Sequence, residues 1–410
     1  MDKGDIVELA AADSKFYKEL YKGYDLKDFK RLPIISKHML LDNLETSNVD
    51  FGIDTIEGAV FARLTSGTSS QVAIFYRSEK EIEQSATRFA KTAFYLNQGS
   101  KKDRVAIINN YTLAYTFARH FAKAGVMVFL GNPYDLQTTA MVIMEAKINA
   151  IRTTPPVALK IASMLNILGY DGIDKWLLAG SVLSGPVRKK LQELYPKAKI
   201  IQQYGMAETA ISMYQCRHTI ESNIYHIFPK DFYYEFIADN NKYAEEGEVG
   251  RLIITKLSTE NPIIRYDTED LFRVGGICDC GMREYYMVGR ASDEIKVKGI
   301  TIFKDRIDDA IKSIKQYITG DYQITVEEIE DDDLVKSKFT LYVELLPEYV
   351  DRGVLPTLAN TFANNFEISE EYTWSEGVGL GLFCPMEVVN KKLNGEKTKV
   401  VYDRRFGGRK

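Results

Sequence analysis

Apolar positions along the chain follow two periods, and the pattern changes twice. Between residues 79 and 205, segments with helical spacing alternate with short apolar runs. "EKEIEQSATRFAKTAFYLNQG" carries Ile82, Ala86, Phe89, Ala90 and Ala93 at helical intervals and stops at Gly99. "RVAIINN" then reads as a strand, "LAYTFARHFAKAG" as a helix and "VMVFLGN" as a strand. The alternation continues through "LQTTAMVIMEAKI", "NAIRTTP", "PVALKIASMLNILG" and "KWLLAGS". It ends with "GPVRKKLQELYP", which has Pro186 near its first turn, and "AKIIQQYG". Helices interleaved with strands predict α/β layers around a mostly parallel sheet.

Near residue 225 the period shortens. "FYYEFIAD", "GRLIITKLS", "IIRYDTEDLFRVGG" and "REYYMVG" are short β runs separated by Gly, Asn and Glu, which predicts an antiparallel or barrel-like section. After "VGRASDEIKVKG" comes a third pattern. "KDRIDDAIKSI" reads as a helix, "YQITVEEIE" and "KFTLYVELL" as alternating strands, and "VLPTLANTFANNF" as another helix. "EIEDDDL" reads as a solvated turn between those strands. The predicted class is α/β: a large N-terminal domain of layered α/β sheets over residues 1–290, with a β-rich section at about 212–290. A small α+β C-terminal domain covers 291–410.

Composition narrows the classes. A chain of 410 residues exceeds what one hydrophobic core serves. The 53 basic and 57 acidic residues leave a net charge of −4, which excludes a strongly basic nucleic-acid binder. No run approaches the roughly 18–20 apolar residues of a membrane span. The first twenty residues lack the apolar block of a signal peptide, so a cytoplasmic location is expected. Four cysteines are too few for a disulfide scaffold.

Five stretches carry candidate chemistry. "LTSGTSS" crowds Thr65, Ser66, Thr68 and Ser69 around Gly67, and such a loop offers backbone N–H groups and hydroxyls to phosphate oxygens. It is not a P-loop, since the spacing differs and no Lys follows. "QQYGMAETA" ends a strand in Tyr204, Gly205 and Met206. An aromatic there can stack on a base, and Glu208, beyond Ala207, can hold Mg²⁺. In "PIIRYDTEDLFRV", Asp270 can accept ribose hydroxyls. "VGRASDEIKVKGITIF" is the fourth. In "NKKLNGEKTKVVYDRR", a Lys on a glycine-flexed segment can stabilise developing negative charge.

The order and spacing of these stretches resemble the adenylate-forming (acyl-CoA synthetase-like, AMP-binding) superfamily, with the closest likeness to its phenylacetate–CoA ligase-like branch. The likeness runs from about residue 14 to the C-terminus. "LTSGTSS" sits at the family's phosphate loop, "LLAGSVLSGPVR" at its adenine-side loop and "QYGMAE" at its Tyr-Gly-x-(Ser/Thr)-Glu motif. "PIIRYDTEDL" and "GRASDEIKVKGITIF" match the ribose and hinge motifs, and Lys397 in "GEKTKVVYDRR" aligns with the catalytic Lys. The resemblance implies ATP-dependent activation of a small carboxylic acid to an acyl-adenylate, then transfer to a thiol, with coenzyme A as co-substrate. It implies a C-terminal lid that rotates at Ser292 between the steps. Lys397 would neutralise charge between the carboxylate and the α-phosphate, and Glu208 would orient Mg²⁺. Tyr204 would sandwich the adenine against Ala179, Gly180 and Ser181, and Asp270 would fix the ribose with Arg290 nearby. Tyr111, Leu113 and Tyr115 would line an aromatic, apolar acid pocket with no Lys or Arg for a second carboxylate. That suggests an aryl or arylalkanoic acid. A carrier protein or an amine is the alternative acceptor, and the resemblance admits a homodimer.

Cys216-x-His218 and Cys278-x-Cys280 are two pairs of N/S donors flanking the β-rich section, a set that suits a closed tetrahedral Zn²⁺ site. The single intervening residue is tighter than in zinc fingers. The resemblance supports the metal, because members of the branch carry a "CxCG" here. It also makes His226 the alternative to His218.

The chain departs from the family at Ser70 and Gln71, where a second Gly and a Lys are usual. Ala207 stands where Ser or Thr is usual, and Ser292 where an acidic residue or Lys is common. Each lost hydrogen bond to a charged group is worth on the order of 1.5–3 kcal/mol. These losses keep open a weakly active, adenylate-binding relative.

Overall fold

The computed structural model describes residues 2–37, 39, 60–64, 74–94, 98–181, 183–206, 212–227, 232–238, 242–257, 262–291, 295–297, 300–302, 304–331, 334–368, 372–393 and 401–406. The chain divides into two compact units. The larger takes residues 1–65, 71–180 and 190–291, and the smaller takes 66–70, 181–189 and 292–410.

The larger unit opens with α1 (Lys3–Asp13) and α2 (Lys15–Leu20), capped by the side chains of Asp2 and Ser14. β1 (Val60–Leu64) and β2 (Ile74–Ser78) pair antiparallel. An α/β run follows: α3 (Glu79–Arg88), a π-helical turn Phe89–Ala93, β3 (Arg104–Ile108), α4 (Tyr111–Lys123), β4 (Met127–Gly131), α5 (Leu136–Glu145) and β5 (Ala150–Thr153). It continues through α6 (Pro155–Ile167), β6 (Lys175–Leu178), α7 (Gly185–Leu194), β7 (Lys199–Gly205) and β8 (Ser212–Tyr214). Polar residues start these helices where apolar spacing begins. Ser78 Oγ accepts from Glu81 N at 3.0 Å, Asn110 Oδ1 from Leu113 N at 3.1 Å and Asp135 Oδ1 from Thr138 N at 3.1 Å. The sheet order is β4-β3-β5-β6-β7-β8, parallel except for β8. The α/β layering predicted from the periodicity is therefore present.

The β-rich section is an antiparallel sheet. Its strands are β9 (Ile224–Tyr225), β10 (Phe232–Ile237), β11 (Val249–Lys256), β12 (Ile263–Ile277) and β13 (Arg283–Arg290), in the order β10-β11-β12-β13-β9. β12 is bent: Arg265 and Glu269 have φ of 51° and 60°, and its register against β11 slips. The Arg265 guanidinium is buried and meets Glu235 at 3.0 Å through both Nε and Nη2. Its Nη1 donates to the carbonyl oxygens of Lys30, at 2.8 Å, and Leu32. Ile264 N donates to Tyr17 Oη at 3.0 Å. The first 35 residues are thus fastened to β12.

In the smaller unit, β14 (Ile295–Val297) pairs antiparallel with β15 (Ile300–Ile302). Then come α8 (Lys304–Lys312), β16 (Ile318–Asp331), β17 (Leu334–Leu345), α9 (Leu355–Asn365), α10 (Trp374–Gly379), β18 (Glu387–Asn390) and β19 (Val401–Asp403). The central pair β16–β17 is antiparallel, and β19 and β18 flank it in parallel. Phe339, Phe366, Trp374 and Phe383 form its aromatic core, with ring centroids 4.3 to 6.0 Å apart. The described part of the acidic stretch, Glu328–Asp331, is strand and not turn. Among the described residues no helix is long and apolar enough to cross a membrane.

Glu235→Ala would leave Arg265 charged, buried and unpaired. We expect a loss of about 3–5 kcal/mol of stability, read as a lower urea midpoint by tryptophan fluorescence. Trp176 lies in the larger unit's core and Trp374 in the smaller's. An unchanged midpoint would show that the pair does not hold the unit together.

Candidate active site and metal centre

The parallel strands β3, β5, β6 and β7 end at Ile108, Thr153, Leu178 and Gly205. Ligands of open α/β sheets bind beyond such carboxyl ends. The ends are cross-tied: Thr153 Oγ1 donates to Ile108 O at 2.7 Å, and Ala179 N to Thr153 O at 3.1 Å. The chain leaves β6 through Gly180, whose φ of +87° only glycine adopts without strain. Ser181 Oγ, which follows, is buried without a hydrogen-bond partner among the described residues.

Tyr204 and Asp270, 66 residues apart, meet here. Tyr204 Oη donates to Asp270 Oδ2 at 2.6 Å, and Arg290 Nε lies 2.9 Å from Asp270 Oδ1. Asp270 and Arg290 face each other across β12 and β13. Asp270 N also donates to Thr268 Oγ1 at 3.2 Å. Burial, then the Asp270 charge, pushes the Tyr204 phenol well above its ordinary value, so it stays protonated and donates. The Tyr204 ring packs edge-on against Phe272 at 5.3 Å and is 9% exposed. Stacking on a base needs an open ring face, and little of the Tyr204 ring is open.

Other site candidates fall elsewhere. Thr65, Ser66, Gly67, Thr68, Ser69, Ala207, Glu208, Ser292 and Lys397 lie outside the described residues. Gly205 and Met206 follow Tyr204 at the strand end. Tyr111 is 82% exposed, on the outer side of α4. Leu113 is half-buried. Tyr115 stacks on Phe61 at 4.8 Å, and its hydroxyl donates to Glu79 at 3.3 Å and accepts from Arg119 at 3.1 Å. These residues do not form a buried acid pocket. Ala114, Thr116, His120 and Phe121 of α4 are buried, with Phe117 packed against the same core. There the guanidinium of Arg152, which the sequence reading did not single out, lies 4.1 Å from the Phe117 ring centroid. The available signal was an Arg inside the otherwise apolar strand "NAIRTTP". Tyr214, beside Arg152, gave no such signal.

The thiols converge. The donor atoms of Cys216, His226, Cys278 and Cys280 all lie within 4.8 Å of one another. Cys216 Sγ is 3.7 Å from Cys278 Sγ, and His226 Nε2 is 3.3 Å from Cys216 Sγ and 3.5 Å from Cys280 Sγ. Metal–sulfur bonds of about 2.3 Å in a tetrahedron give S–S edges of about 3.8 Å, so the donors fit one zinc-sized ion. His226 Nδ1 faces Arg283 O at 2.9 Å; a carbonyl only accepts, so the proton sits on Nδ1 and the Nε2 lone pair faces the thiols. Gly281, at φ +85°, turns the chain behind the Cys pair and donates to Cys278 O at 2.7 Å. Burial raises the Cys216 thiol, but the hydrogen bond from His218 N and the contacts with His226 and its other neighbours bring it down to about 7. His218 itself is not in the cluster. Its ring turns outward, 3.8 Å from Asp279, and accepts from Arg217 Nε at 3.0 Å. Of the two histidines the sequence offered, His226 and not His218 lies with the three thiols, because the chain leaving β9 pairs with Tyr214 of β8.

No family model matches the chain. It is similar to phenylacetate-coenzyme A ligase of Pseudomonas putida, 25% identical over 345 residues, covering 80% of this chain and 75% of the relative. It is also similar to D-alanine–D-alanyl carrier protein ligase of Bacillus licheniformis, 22% identical over 244 residues, covering 54% of this chain and 43% of the relative. Among solved structures it matches 2-hydroxyisobutyryl-CoA ligase in complex with 2-HIB-AMP and CoA in the thioesterification state. That match has a TM-score of 0.68 and 18% identity, covering 98% of this chain and 87% of that one. An open conformation of the same ligase matches with a TM-score of 0.62 and 19% identity, covering 98% and 89%.

Tyr204→Phe removes a hydroxyl bonded to an ionised, buried carboxylate. It should lower stability by about 1.5–3 kcal/mol in urea denaturation. A midpoint equal to wild type would mean that Asp270 needs only Arg290.

Proposed function

We propose, for a chain that belongs to the adenylate-forming superfamily and to its phenylacetate–CoA ligase-like branch, that it activates a carboxylic acid with ATP and passes the acyl group to a thiol. In the first step a carboxylate oxygen attacks the α-phosphorus of ATP. The new O–P bond forms as the bond to pyrophosphate breaks. In the second step a thiolate sulfur attacks the acyl carbon, a C–S bond forms, and AMP leaves with the electron pair of the broken C–O bond. Coenzyme A is the first candidate for the thiol, and an aryl or arylalkanoic acid for the acid.

The observation that carries this reading is the buried Asp270, held between Tyr204 and Arg290 next to the end of β7. An ionised carboxylate with spare lone pairs suits the two hydroxyls of a ribose. The Tyr204 hydroxyl occupies one of its oxygens until the nucleotide binds. Ala179, Gly180 and Ser181 flank the base, and the partnerless Ser181 Oγ suits its polar edge. Thr65, Ser66, Gly67, Thr68 and Ser69 cradle the phosphates. Glu208 holds Mg²⁺, which supplies charge neutralisation at the phosphate oxygens. Lys397 serves adenylation, and Ser292 is the pivot of the C-terminal unit. ATP–pyrophosphate exchange with a panel of acids tests this directly. Lys397→Ala should cut exchange by about a hundredfold or more while sparing thiolysis of a preformed acyl-adenylate. Equal loss of both steps would contradict the assignment.

A carrier-protein thiol is the second acceptor, favoured by the D-alanyl carrier protein ligase likeness. Acid-dependent exchange without CoA-dependent AMP release would select it. Exchange near background with every acid would instead favour a weakly active adenylate binder, as Ser70, Gln71 and Ala207 suggest.

Cys216, His226, Cys278 and Cys280 are assigned a structural zinc ion. Four protein donors leave no open position, so the ion would brace the β-rich section and take no part in the reaction. Elemental analysis of the purified chain should find about one zinc per chain. Cys278→Ser should lower both the metal content and the thermal midpoint. A metal-free wild-type protein with an unchanged midpoint would sink the assignment.

A further inference from the structure

Arg152 stands on the central strand β5, between β3 and β6, one residue before the strand end. Its backbone neighbours across the sheet, Ile107 and Leu177, are apolar. The side chain is 3% exposed. A guanidinium carries five N–H donors, yet among the described residues Arg152 makes one hydrogen bond, Nη1 to Leu177 O at 3.2 Å. Its other contact is with the face of Phe117. Burial lowers its pKa to about 10, and the group that opposes this is the Tyr214 phenol, not a carboxylate. Elsewhere in the larger unit buried basic groups do have acids: Lys256 meets Glu81 at 2.9 Å and Arg265 meets Glu235. A cation over an aromatic ring recovers only part of the desolvation cost of a buried charge. The structure by itself gives no reason for an arginine where an isoleucine would pack.

The location supplies a reason. Arg152 lies beneath the sheet edge at which Thr153, Ala179 and Tyr204 emerge. Phe117 of α4 and Tyr214 of β8 lie beside it. A ligand group that reached this guanidinium would come from that edge, past Phe117 and Tyr214.

We propose that Arg152 determines acid specificity by pairing with a second carboxylate at the far end of the substrate, with Tyr214 as its companion donor. The preferred acid is then a dicarboxylic acid, activated at one end and anchored at the other. This rests on the ligase reading above and deepens it.

Matched acids that differ only in the second carboxylate test the proposal: adipate against hexanoate, and terephthalate against benzoate. Binding to the full chain is measured by titration calorimetry, with ATP–pyrophosphate exchange run in parallel. In at least one pair the diacid should bind about 10–100-fold tighter than the monoacid. Arg152→Met should abolish that preference and leave monoacid binding unchanged or improved. Arg152→Lys, which keeps the charge without the two-pronged geometry, should retain part of it and serves if the Met variant does not fold. Monoacids bound as well as diacids, or both classes weakened equally by Arg152→Met, would overturn the proposal. The two readings fail separately. Diacid binding that depends on Arg152 without any exchange would refute the ligase and keep the anchor. Exchange with monoacids alone would keep the ligase and refute the anchor.

Discussion

Charge buried along one strand sets the terms for the larger unit. β12 carries Arg265, Asp267 and Asp270, all buried. Each partner comes from a different element: Glu235 from β10, Arg251 from β11, Arg290 from β13 and Tyr204 from β7. A buried charge without its partner costs several kcal/mol. The strands must therefore align so that every pair closes at once, and a one-residue slip would turn these side chains to the other face. The bends at Arg265 and Glu269 are part of that solution, since they aim successive charged groups at partners on different sides.

The candidate site is a by-product of the same constraint. Asp270 is held by two donors, Tyr204 and Arg290, beside the end of β7, so the fold itself orients its carboxylate. Preorganised groups lose little freedom when the ligand binds. The far end of β12 is tied down too, because Cys278 follows directly on Ile277 and joins Cys216, His226 and Cys280. One strand thus links the N-terminal anchor, the buried Asp270 carboxylate and the sulfur cluster.

Arg152 is the contrast. It is as buried as the charges of β12 but no acidic group among the described residues answers it. Proteins tend to keep such a group where a ligand completes the pair. The difference between a satisfied and an unsatisfied buried cation is visible only once all of its neighbours are in place.

Much of the architecture was legible from local pattern. Helical spacing, the caps Ser78, Asn110 and Asp135, and Pro155 at the start of α6 act over a few residues, so they can be read along the chain. The short strands β1, β8, β9, β14, β18 and β19, of two to five residues, were not anticipated, since too few positions exist to show a period. The order of motifs carried the family resemblance, and the Cys pairs suggested a metal. The sequence by itself thus determined the layers, the family resemblance and the donor types. Tertiary structure decided which atoms meet: His226 and not His218 beside the thiols, Tyr204 on Asp270, Tyr111 facing solvent, and Arg152 against Phe117. Those pairings join residues that are in most cases tens of positions apart, through sheet register and strand order. Register is a property of the whole packed sheet, set by all its buried groups together, and no local stretch encodes it.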